Sequence, residues 1–104
     1  DLNLTLNGRT YALLSESERW RCDAVMTMTL AQAEPPPFLL LDRLDVLVAD
    51  SRAPIFRALV VLGVPAVVAC SVPRNSAEVL PPLKKIQAGA VWWMEAGTLT
   101  ELPY

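Results

Sequence analysis

The chain has 104 residues, of which 53% are hydrophobic and 19% are charged, a balance typical of a folded domain rather than a disordered segment. At this length we expect one domain, residues 1–104, with one hydrophobic core. The net charge is −2 and the nine Lys and Arg residues form no cluster, so the chain itself has no nucleic-acid-binding footprint. It contains no His, which removes the commonest general base and metal ligand.

Several features bear on where the protein resides. Cys22 and Cys70 lie far apart, each in an apolar stretch, so we expect two small core residues rather than a disulfide or a zinc site. The uncharged runs are too short or too interrupted to cross a bilayer, and no secretory signal is visible. These features predict a cytoplasmic protein without a membrane partner. The chain begins at Asp1 rather than Met, which favours a piece of something longer.

The first predicted element is a β-hairpin. Leucines alternate with Asn and Thr over residues 2–7, the period expected of a half-buried strand. Asn7-Gly8 is a tight-turn dipeptide, so a return strand should follow over residues 9–12.

A long helix is predicted next. Ser15 and Glu18 have the spacing of a capping box, and Pro35-Pro36-Pro37 ends the helix. Apolar residues cover a wide part of its surface between Trp20 and Ala31, which predicts that it is mostly buried.

The sequence of residues 38–70 predicts a strand, a helix and a second strand. Residues 38–41 form a short apolar run closed by Asp42, and residues 65–70 form another, as expected for buried strands of a parallel sheet. The helix between them should be capped by Asp50 or Ser51, with Pro54 in its first turn and Gly63 just past its end. This alternation predicts an α/β fold with mainly parallel central strands, flanking helices and terminal hairpins.

The last third of the chain predicts a short helix at residues 79–86 and a closing hairpin. Its strands should cover residues 90–95 and 98–102, joined at Ala96-Gly97. Trp92 and Trp93 are neighbours in the first of these strands, so they should point to opposite faces.

The order of several short motifs resembles the SMC, RecF and related chromosome-repair ATPases of the ABC class. The sequence Leu14-Ser15-Glu16-Ser17-Glu18 opens a helix, residues 38–45 read Phe-Leu-Leu-Leu-Asp-Arg-Leu-Asp, and Val48-Ala49-Asp50 follows. The resemblance spans residues 13–102 and corresponds to the signature helix, Walker B strand, D-loop and switch strand of that family. It implies a partial P-loop-NTPase-like sheet, an ATPase that uses ATP and Mg²⁺, and a role in DNA maintenance or repair.

The resemblance also implies roles for individual residues. Ser15, Glu16 and Ser17 would meet the γ-phosphate of ATP held by another subunit, because a helix N-terminus offers unpaired amides. Asp42 would hold Mg²⁺, Asp50 would orient the subunit contact, and Ser71 stands at the switch position. The alternative for Ser15 and Glu18 is a simple helix cap, and for Asp42 and Asp50 a turn or helix cap.

The chain departs from the family at four places. Glu16 and Ser17 replace two glycines, and Ser71 stands near the usual histidine. Arg43 replaces the glutamate that polarises water, and it cannot act as a base because it stays protonated. Asp45 is a candidate substitute, and Arg43 a candidate for neutralising phosphate charge.

The phosphate loop of the family is missing from residues 1–104. The pattern Gly-x-x-x-x-Gly-Lys-Ser/Thr occurs nowhere in them. The resemblance therefore implies an N-terminal Walker A lobe, on the same or another chain, as the partner. It also implies an ATP-dependent homodimer, and DNA as a partner of the full-length protein.

Two other functions remain open at the level of the sequence. One is a degenerate, non-hydrolysing switch that binds nucleotide or a partner. The other is an α/β protein-interaction module in which Leu-Ser-x-x-Glu is only a capping box.

Overall fold

The structure is a computed structural model, and it describes residues 3–73 and 81–103. It is a mixed α/β arrangement of two long helices and three two-stranded sheets, one parallel and two antiparallel. The chain divides into two compact units, residues 1–71 and 72–104. Neither helix within the described residues combines the length and apolar character needed to cross a membrane.

The first unit opens with the predicted hairpin. Strand β1 is Thr5–Leu6 and strand β2 is Arg9–Thr10, paired antiparallel. Asn7 and Gly8 both have positive φ, +51° and +79°, as a type I′ turn requires. The hairpin is confirmed, although its strands are shorter than predicted.

Helix α1, Glu16–Ala33, begins where the capping box predicts. Its buried residues are Ala24, Met28 and Ala31, spaced three and four positions apart on one face. The expectation that α1 is mostly buried is wrong, because Val25, Met26 and Leu30 are exposed. Its wide apolar surface therefore exceeds what the core of this unit covers.

Strands β3, Leu39–Leu41, and β4, Ala66–Val68, form the predicted parallel pair. Leu39 and Leu41 are buried with the residues of the two helices, but Leu40 between them is 62% exposed. Its register partner on β4, Val67, is also exposed, at 57%. The prediction that these are buried strands, which in a parallel sheet means covered on both faces, is therefore wrong, since the helices cover one face only.

Helix α2, Ala49–Leu62, connects the two strands. Its N-cap is Val48, which contributes no side-chain cap, so the predicted capping by Asp50 or Ser51 is wrong. Both residues lie inside the first turn. Pro54 lies beyond that turn, and not within it as predicted, because the helix already begins at Ala49. The predicted end is confirmed: Gly63 is the C-cap, with φ of +75°, and its N–H donates to the Leu59 carbonyl at 3.2 Å.

Replacing Gly63 with Ala should lower the free energy of unfolding by about 1–2 kcal/mol, the cost of holding an L-residue in the left-handed region. A Cβ at Gly63 would meet nothing within 4 Å, so backbone strain alone is measured. Gly63→Asn is the matched variant and should lose less, because Asn tolerates this conformation better. Urea unfolding of the three proteins checks the order, and equal losses for Ala and Asn would contradict it.

The core of the first unit lies between the helices and one face of β3. It joins α1, β3, a 3₁₀ turn at Leu44–Val46 and α2. Leu44 and Leu47 are its largest fully buried side chains. Cys70 and Cys22 are only partly buried, so the expectation that both are core residues is not met.

The second unit contains the predicted closing hairpin. Strand β5, Trp92–Glu95, pairs antiparallel with strand β6, Thr98–Glu101, and positive φ angles at Ala96 and Gly97 confirm the turn. Trp92 is exposed and Trp93 is half-buried, in keeping with opposite faces. The predicted helix at 79–86 lies partly outside the described residues, and residues 83–87 form hydrogen-bonded turns instead of a helix.

Candidate functional site

The predicted site residues gather at the carboxyl end of the β3/β4 pair. Asp42 and Arg43 directly follow β3, Asp45 lies in the 3₁₀ turn, and Ser71 lies three residues past β4. Because β3 and β4 are parallel neighbours, their carboxyl ends share one edge, which is where open α/β sheets bind ligands.

The N-terminus of α1 reaches the same edge through an ion pair. The guanidinium of Arg43 donates to Oε1 of Glu16, 27 positions earlier in the chain. Both side chains are about two-thirds exposed, so the pair stabilises the fold only weakly. The pair matters for the geometry of the site. It joins the first turn of α1, which is the predicted signature motif, to the end of β3, which is the predicted Walker B strand.

The backbone at Arg43 is unusual. Arg43 has φ of +59° and ψ of +39°, which is the left-handed region for a residue that has a Cβ. The turn is held on one side by Asp42, whose Oδ1 accepts from the Arg43 N–H at 2.8 Å. The tight reversal ends β3 abruptly and places the next residue, Leu44, in the core.

Ser15 forms the capping box that the sequence predicts. Its Oγ accepts from the Glu18 N–H at 3.3 Å and donates to the Glu18 carboxylate at 2.9 Å. Arg9 adds an ion pair to the other carboxylate oxygen at 2.7 Å. These contacts, led by the Ser15 hydroxyl, hold the pKa of Glu18 below its ordinary value. The Ser15 hydrogen is thus already used within the cap.

Besides the Glu16–Arg43 pair, a second contact between distant positions of the chain joins Asp45 to Ser71. Oδ1 of Asp45 accepts from the Ser71 N–H at 3.0 Å, and this bond is the main reason why the pKa of Asp45 is lowered. Arg43 and Arg52 lower the pKa further, while burial opposes the shift. Asp45 therefore lies beside the end of β4 as a charged hydrogen-bond acceptor.

Ser17 lies beside Ser15, with their two hydroxyl oxygens 3.4 Å apart. Asp50 is the predicted residue that none of the contacts described above joins to the others. It is exposed in the first turn of α2, where its charge favours the helix dipole. Its predicted contact with another subunit stays a prediction.

Sequence reasoning missed Trp20, which holds the end of β3 against α1. Its indole N–H donates to the main-chain oxygen of Asp42 at 2.8 Å. A shallow groove of about 200 Å³ opens beside this bond, lined by Trp20, Asp23, Ala24, Thr27, Leu40, Leu41 and Asp42. The available signal was the position of Trp20 one helical turn after Glu16, together with the need of a packed indole for a hydrogen-bond acceptor.

The donor set at this edge suits a magnesium ion only in part. Asp42 offers a hard carboxylate oxygen, the ligand type that Mg²⁺ prefers. No three His, Cys, Asp or Glu side chains converge on a common point within residues 3–73 and 81–103. Mg²⁺ here would need water and phosphate oxygens beside Asp42, which is how it is commonly held in nucleotide sites.

A Ser15→Ala variant should lose about 1 kcal/mol of stability, the usual cost of removing a Ser N-cap. The loss should shrink at acid pH. A depressed pKa of Glu18 stabilises the fold above the ordinary glutamate pKa, and that contribution disappears as pH falls through the lowered value. Urea unfolding at pH 7 and at pH 3 measures both differences. A difference between wild type and variant that is the same at both pH values would show that the Ser15–Glu18 bond does not depend on the charge.

No protein-family model matches the chain, and neither a curated protein nor a solved structure was found to be similar to it. The resemblance to SMC and RecF ATPases therefore rests on the motifs of this sequence and their order.

Proposed function

We propose that the chain is the C-terminal lobe of an SMC/RecF-like ATPase and works in ATP binding and hydrolysis once a Walker A lobe completes the site. The observation that supports this best is the Glu16–Arg43 contact at the edge where β3 and β4 end. It brings the helix N-terminus and the strand-end aspartate, the two parts of such a lobe that face nucleotide, to one edge.

In this proposal each group at the edge has a defined task. Asp42 would hold Mg²⁺ together with phosphate oxygens, and the ion would neutralise charge that develops on the transferred phosphoryl group. The N-terminal amides of α1 would approach nucleotide bound to a second copy, which makes association dependent on ATP. Arg43 would interact with phosphate when it leaves Glu16, because the geometry of a guanidinium matches phosphate as well as carboxylate.

The open face of the β3/β4 pair is in keeping with a missing lobe. Parallel sheets are normally covered on both faces and contain more than two strands. Here Leu40 and Val67 are exposed on the second face. In a completed P-loop-like lobe, further helices would cover this face. DNA maintenance is the process in which such a machine would act.

A non-hydrolysing switch is the second candidate function. It is favoured by Arg43, which occupies the position of the catalytic glutamate and is held by Glu16. Asp45, the nearest substitute, is held by the Ser71 amide. A site without a general base can still close on ATP and open on its release.

Phosphate release and molecular mass, measured with the natural full-length protein and Mg-ATP, separate the candidates. Release together with ATP-dependent dimerisation supports the ATPase, and EDTA should abolish both. Dimerisation with ATP but without release supports the switch. If ATP causes neither, the proposal is wrong and a protein-interaction module becomes the better description.

A further inference from the structure

The parallel ladder between β3 and β4 continues past the end of both strands. Within it, the Leu39 N–H donates to the Pro65 carbonyl and the Ala69 N–H to the Leu41 carbonyl, each at 2.8 Å. Beyond the reversal at Arg43, the Leu44 N–H donates to the Ala69 carbonyl at 3.1 Å.

The last bond of this series uses a side chain. The Ser71 N–H donates to Oδ1 of Asp45 at 3.0 Å, across 26 positions of sequence. The Arg43 carbonyl, which would be the next acceptor of the ladder, accepts instead from the Val46 N–H at 3.0 Å within the 3₁₀ turn. The carboxylate of Asp45 takes the place of that carbonyl.

From this geometry we infer that Asp45 is a positioning residue, which holds the segment after β4 at the site edge through its Ser71 hydrogen bond, and is not the general base. The inference rests on the proposed ATPase function, and it removes the candidate base that the sequence left open. It also gives Ser71 a task, which its main-chain N–H performs.

The surroundings of Asp45 favour this role. One carboxylate oxygen is engaged by the Ser71 amide, and Arg43 on the 3₁₀ turn side and Arg52 on α2 both favour the ionised form. A carboxylate whose pKa is lowered in this way is a weaker base toward water. Because the carboxylate stays ionised, its hydrogen bond to the Ser71 amide is charge-assisted and stronger than one to a neutral acceptor.

Asp45→Asn and Asp45→Ala separate positioning from proton abstraction. The Asn side chain keeps an oxygen that accepts from Ser71 but cannot take a proton from water, whereas Ala has neither property. For a positioning residue, phosphate release by the full-length protein should stay within about threefold of wild type for Asn and fall at least about tenfold for Ala. The control for loss of one charge is Glu34→Gln, because Glu34 is an exposed carboxylate at the end of α1.

If Asp45→Asn lost as much phosphate release as Asp45→Ala, with both falling at least about tenfold, the inference would be overturned and Asp45 would be identified as a base. Hydrogen exchange of the Ser71 amide, measured in the same proteins without ATP, tests the contact independently of catalysis. It should be at least about tenfold faster in Asp45→Ala than in wild type, and close to wild type in Asp45→Asn. If wild type releases no phosphate, the ATPase proposal fails, and unchanged Ser71 exchange in Asp45→Ala would then reject the positioning role as well.

Discussion

Replacing Leu44 with Ala should lower the free energy of unfolding of the residue 1–71 unit by about 3 kcal/mol, in the range typical of buried leucines. Leu44 is 2% exposed and is one of the two largest fully buried side chains. It directly follows the reversal at Arg43, so its packing anchors the turn that carries Asp42 and Asp45. Urea unfolding followed by far-UV circular dichroism measures the loss, because both long helices lie in this unit.

Leu40→Ala is the matched control for this variant. It makes the same chemical change four positions away, in a side chain that faces out from the open side of β3. We expect a loss below about 1 kcal/mol, since little apolar area leaves a packed environment. A loss as large as that of Leu44→Ala would contradict the finding that the helices cover one face of β3 only.

Asp42→Asn should reduce phosphate release by the full-length protein at least about a hundredfold, equivalent to about 2.7 kcal/mol of barrier. The substitution removes the charge that would hold Mg²⁺ while leaving the local structure intact. An Asn oxygen can still accept from the Arg43 N–H, and the Trp20 bond uses the main-chain oxygen of residue 42. The expected change is therefore in turnover and in the Mg²⁺ concentration that supports it, and not in folding.

Glu34→Gln serves as the control here too, because it removes one carboxylate charge at the far end of α1. It should leave both turnover and Mg²⁺ dependence unchanged. Wild-type turnover in Asp42→Asn, with wild-type Mg²⁺ dependence, would rule out the metal role of Asp42 and weaken the ATPase proposal as a whole.

The sequence by itself determined the features that depend on neighbouring residues. The turns at Asn7-Gly8 and Ala96-Gly97, the capping box at Ser15 and the end of α2 at Gly63 all follow from local backbone preferences and short-range hydrogen bonds. Each is set within a few residues, so the pattern alone was enough to place it.

Local sequence patterns were insufficient to predict which faces of the strands and helices are buried. A run of apolar residues is equally compatible with one covered face or two, and only the packing of both helices on the Leu39 and Leu41 side left Leu40 exposed. The same ambiguity explains why α1 is less buried than its composition suggests. The predicted start of α2 is wrong because packing of the buried Leu47, and not a polar cap, holds the residues that precede the helix.

Tertiary structure also decided which candidate residues meet. Glu16 reaches Arg43 and Asp45 reaches Ser71 because parallel pairing of β3 and β4, with α1 packed beside them, brings distant positions to one edge. No short-range preference encodes a contact across 26 or 27 positions, since it depends on how hydrophobic burial arranges the elements between them. The sequence thus supplied the list of polar residues, and the packing of the core determined that Asp45 binds the Ser71 amide.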